Sequence, residues 1–73
     1  YERAISLLNF LEASWQVGNE PETFNEERYQ DMVGKAWEVK KLVKDTDMLL
    51  EAEAHLDNLY KLKQVVTKES ANA

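Results

Sequence analysis

The sequence predicts an all-α domain, an antiparallel three-helix bundle with helices over about residues 2–17, 25–44 and 47–68. Three observations carry that expectation. Apolar residues recur at offsets of three and four along three stretches, and no stretch shows the period-two alternation of a strand. A Gly-Asn pair and the chain's one proline interrupt the pattern between residues 18 and 23. At Asp45-Thr46-Asp47 the apolar stripe changes direction by roughly 180°.

The first helix is expected from Tyr1 to Gln16 or Val17. Tyr1, Ala4, Leu8, Leu11 and Trp15 form its stripe, with Ile5 and Leu7 at the edges. Gly18 followed by Asn19 reads as a C-terminal stop, with the glycine in the left-handed conformation. Pro21 removes a backbone donor and biases Glu20 away from helix, so a loop is expected at about 18–23.

The second helix organises the chain. Tyr29, Met32, Ala36, Val39 and Val43 share one face, while Glu27, Arg28, Asp31, Lys35, Glu38 and Lys41 share the other. Thr23 and Glu26 fit a capping box, with Asn25 as a competing cap. Glu26 and Glu27 suit the positive end of the helix dipole, and Lys40, Lys41 and Lys44 the negative end. Gly34 costs roughly 1 kcal/mol relative to alanine. It reads either as a tolerated surface glycine or as a point of close helix approach.

No glycine or proline stands at Asp45-Thr46-Asp47. One helix over 25–68, in a long hairpin or a swapped dimer, is therefore the competing architecture. The stripe of Met48, Leu49, Ala52, Leu56, Leu59 and Tyr60 points away from the preceding one, which favours a reversal. Aspartate and threonine are competent caps for the third helix. Fraying is expected near Lys68, with 69–73 as a flexible tail. The deepest core positions should be Leu8, Leu11, Met32, Ala36, Val39, Leu56 and Leu59.

At 73 residues the chain is one domain. A chain of this size buries only about 60% of its unfolded surface, so its stability should be modest. It begins at Tyr1 rather than Met, which leaves room for flanking sequence that carries part of the function. There is no cysteine, so no disulfide or thiolate site is available, and the expected setting is cytoplasmic. Nine basic against fourteen acidic residues give a net charge of −5. That argues against direct nucleic-acid or anionic-membrane binding, whose signature is a basic patch. No apolar run approaches the roughly 18 residues of a membrane span.

Chemistry-bearing patterns are sparse, and the expectation is a chain that is not an enzyme, with no cofactor and no metal. Glu51 and His55 sit four apart with Glu53 nearby, which is too few ligands for a metal site; a solvated histidine is the simpler reading. Ser6 and Ser14 have no base near them in sequence. Two glycines cannot build a phosphate loop, and no small-molecule substrate is evident.

What the stripes leave over is apolar surface. Phe10, Val17, Val33, Trp37, Leu50 and Val65 are the candidate partner-binding residues, with Trp37 and Phe10 as leading anchors. Ala13, Ala54 and Leu62 lie near the same surfaces. The expected function is a helical protein–protein interaction module or small non-catalytic subunit, with self-association as one form of partnership. The alternative is an acidic regulator that occludes a basic, nucleic-acid-binding surface of a target. Salt separates the two, because screening weakens an acidic occluder more than an apolar contact.

Overall fold

The structure is a computed structural model that describes the backbone of residues 1–72 and the side chains of residues 1–69. Among these residues, α1 spans Glu2–Val17, α2 Glu26–Leu42 and α3 Thr46–Asn72, with a short 3-10 turn at Pro21–Thr23. They form a three-helix bundle with no strands. The bundle measures 43 × 18 × 16 Å. Its length is that of α3, whose 27 residues rise about 40 Å, against about 25 Å for α2.

α1 ends where expected, but by a different device. Gly18 N–H donates to Ser14 O at 3.1 Å. Its φ is −137°, so it is not left-handed, and no residue of the described chain has positive φ. A Cβ there would meet the guanidinium at the end of the exposed Arg28 side chain, which is free to swing aside. Tyr1, expected on the stripe, is 78% exposed: it precedes the first helical turn and lies outside the packed length of the bundle.

The start of α2 also differs from expectation. Thr23 does not form a capping box with Glu26, because its hydroxyl is engaged in the preceding turn. It donates to Glu20 O at 3.0 Å and accepts from Glu20 N–H at 3.3 Å. Asn25 is the cap, its Oδ1 accepting from Arg28 N–H at 2.9 Å. Phe24, just before the cap, packs its ring 5.6 Å from that of Tyr29. This is the hydrophobic staple that sets the direction of the chain into a helix. Glu26 is thereby free to face α3.

α2 stops at Leu42, two residues before Lys44. Val43 is extended, with φ −123° and ψ 155°, and the chain reverses. Asp45 then caps α3: its Oδ1 accepts from Met48 N–H at 3.1 Å, and its carbonyl from Leu49 N–H at 3.0 Å. The reversal removes the continuous 25–68 helix. α3 passes Lys68 and runs to Asn72, so the backbone of 69–72 is helical. Ala73 lies outside the described residues.

All seven residues expected deepest are buried, and Leu11, Val39 and Leu59 are the largest side chains with essentially no exposure. Ala4, Leu7, Ala52 and Leu62 complete the core. Leu62, expected near the surface, is buried because α1 and the loop close over it beside Trp15 and Pro21. Gly34 faces open space and is the tolerated surface glycine.

Candidate interaction surface

The helix seams are bordered by ion pairs. Arg3 of α1 bonds to Glu38 of α2, and Lys63 Nζ of α3 lies 2.6 Å from Glu26 Oε2 of α2. Each contact leaves its mark on protonation. The Arg3 hydrogen bond holds the Glu38 carboxyl below its ordinary value, and Glu38 raises Arg3 in return. Hydrogen bonds from Lys63 and then Gln30 lower Glu26. Burial pushes the Tyr29 phenol up. Lys63 also sits 5.3 Å and 5.5 Å from the centroids of Phe24 and Tyr29. One ammonium therefore joins α3 to the staple and to the first turn of α2.

The six off-stripe apolar residues do not share one face. Phe10, 39% exposed, lies on the α1–α2 seam with Lys35 Nζ 4.9 Å from its ring centroid. Val65 lies on the other side of α1, with Trp15, Pro21 and Leu62, in a hollow of about 260 Å³. Val17 is exposed at the end of α1, and Leu50 is exposed on the second turn of α3. Val33 is half-buried and packs on the core, so it offers little free surface. A single patch made of all six is not what the bundle builds.

Trp37 lies in a defined setting of its own. It is 44% exposed on the α2–α3 seam, and its Nε1–H donates to Tyr60 Oη at 3.3 Å. Lys40 Nζ lies 4.4 Å from the Trp37 ring centroid and 3.5 Å from Glu53 Oε1. Trp37, Lys40, Glu53, Leu56, Asp57 and Tyr60 enclose an open hollow of about 240 Å³. Leu56 is its buried floor, and the two aromatic rings stand beside it. Helical spacing explains the set: 37 and 40 are three apart on α2, and 53, 57 and 60 follow at four and three on α3.

Helical spacing alone singles out Trp37 but not its surroundings. Tyr60 belongs to the core stripe by spacing, yet it is 39% exposed at the stripe's edge with its hydroxyl at the surface. The available signal was its chemistry: a tyrosine at a stripe edge keeps its ring on the core and its polar tip wet.

The chemistry this surface offers is stacking, hydrogen bonding and ion pairing. Among the described residues no three His, Asp or Glu side chains converge as a metal-binding group, and no charged or polar residue is buried. His55 is half-buried and Ser6 exposed. No helix among these residues is long and apolar enough to cross a membrane. Comparison of the chain finds no match among protein-family models, curated proteins or solved structures.

Proposed function

We propose that this domain is a non-catalytic helical module that binds another protein, with Trp37 as its anchor. One observation carries the reading: a tryptophan nearly half exposed, yet held by a hydrogen bond to Tyr60 beside an open hollow. Orienting a large aromatic side chain before association lowers the entropic cost of binding. Tryptophan is also among the residues most enriched at binding hot spots.

The experiment compares the wild-type domain with Trp37→Ala for association and for melting temperature. Self-association is read from solution mass, and other partners by capture from the native extract. The expected result is weakened association, by about 2 kcal/mol or more, with helix content nearly unchanged. A sharp loss of stability with no specific binding defect overturns the reading.

A second reading has its own support. Asp45 at the cap of α3 and Asp47, Glu51, Glu53 and Asp57 along its first half are all exposed. Such a surface suits an acidic regulator that covers a basic site on its target. Steep loss of affinity with added salt distinguishes that mode from apolar anchoring.

A further inference from the structure

We propose that the α2–α3 hollow receives an arginine side chain from the protein partner; this rests on the protein-interaction reading above and names the chemistry of the contact. Size is the first argument. About 240 Å³ lies below the roughly 300 Å³ at which pockets begin to hold drug-sized ligands, so the hollow suits one side chain. Charge is the second. Glu53 and Asp57 stand one turn apart on the rim, both exposed. Among the described residues Asp57 has no cation within ion-pair distance, while Glu53 meets only Lys40, at 3.5 Å.

The third argument is what Lys40 already does. Its ammonium lies over the Trp37 ring and reaches toward Glu53. The chain thus places a cation of its own between an aromatic face and a carboxylate in this hollow. An incoming guanidinium makes both contacts better. Its planar fork can stack on Tyr60 or Trp37 while its N–H groups donate to Asp57 and Glu53, which an ammonium cannot do as well. Lys40 then swings out toward solvent, as a flexible lysine at the rim of a seam can. The net charge of −5 favours the approach of a basic segment.

The test is a titration of the whole domain with a terminally blocked glycine–arginine–glycine peptide, followed by the indole N–H signals of Trp15 and Trp37. The controls are the same peptide with neutral citrulline and with glutamate. The arginine peptide is expected to shift the Trp37 signal, saturably in the millimolar range, while Trp15 stays in place. Glu53→Gln and Asp57→Asn should each weaken the effect by about 1.4-fold to fivefold, the range of an exposed ion pair. Lys40→Ala should strengthen it by removing the internal competitor.

No shift at Trp37, an equal shift with citrulline, or indifference to both carboxylate substitutions overturns the proposal. These outcomes leave the broader reading separable. If partner association still depends on Trp37 while arginine has no effect, the anchor stands and the arginine contact falls. If association does not depend on Trp37, the protein-interaction reading fails at this site whatever arginine does.

Discussion

Lys63 Nζ stands 2.6 Å from Glu26 Oε2, so the C-terminal half of α3 is tied to the first turn of α2 across 37 residues of chain. The same ammonium lies over Phe24 and Tyr29. Glu38 has an analogous role with Arg3 on the α1–α2 seam. Both pairs are open to solvent, so each contributes modestly and is weakened by salt.

Acid should expose these two pairs. The folded-state pKa values of Glu26 and Glu38 lie below their ordinary value of 4.5. Their stabilisation is therefore fully present above that value and is lost as pH falls through the lowered folded values. Melting temperature measured against pH should hold above about pH 5 and decline below it. The Glu26→Gln/Glu38→Gln double variant should show a shallower decline at the acid end. An identical acid slope in the two proteins would remove these carboxylates from the account.

The core prediction is larger. Leu11 has no exposure and sits with Leu59 and Val39 at the meeting of three helices. Leu11→Ala should cost about 2–5 kcal/mol through lost burial and the cavity left behind. Small domains hold a total stability near the lower end of about 5–15 kcal/mol, so much of the variant should be unfolded at physiological temperature. Chemical denaturation with circular dichroism reads it directly. A loss below about 1 kcal/mol would mean that Leu11 lies outside the packed centre.

The architecture was legible because helical phase is a property of sequence alone. Leu8, Leu11, Met32, Ala36, Val39, Leu56 and Leu59 are buried as their spacing requires. The phase change near Asp45 likewise marked the reversal without a glycine or proline. Phase does not say where a neighbouring helix ends, which is why Tyr1 lies on the stripe yet in solvent. Nor does local spacing reveal a competing bond: Thr23 fits a capping box until Glu20 claims its hydroxyl. The candidate surface was the least legible part. Phe10, Trp37 and Val65 are off-stripe on three separate helices, and that common property does not bring them together. The pairing of Trp37 with Tyr60 depends on α2–α3 rotation, which only packing decides.

The two possible caps of α2 give contrasting expectations. Asn25 satisfies the N–H of Arg28, so Asn25→Ala should cost about 0.5–2 kcal/mol. Thr23→Ala should leave the α2 cap intact and act only through the 3-10 turn, with a smaller loss. Denaturation midpoints of the two variants, compared at matched slope, check the order. A Thr23→Ala loss equal to or larger than that of Asn25→Ala would return the cap to the threonine.

Gly34 offers a change in the opposite direction. It lies inside α2 between Val33 and Lys35, is exposed, and has no heavy atom within 4 Å of where a Cβ would stand. Its backbone φ is not positive, so alanine meets neither a steric nor a conformational obstacle. Glycine loses more backbone freedom on folding than alanine, and the difference inside a helix is about 0.5–1 kcal/mol. Gly34→Ala should therefore stabilise the domain by that amount. For a chain of this length the melting temperature should rise by about 2–8 °C. Position 34 is exposed three residues from Trp37 and so shares its side of α2, which makes the melting temperature of the isolated domain, rather than association, the readout for this change. An unchanged or lower melting temperature would show that another surface closes on this glycine in solution, and a partner lying along the outer face of α2 would then have to be sought.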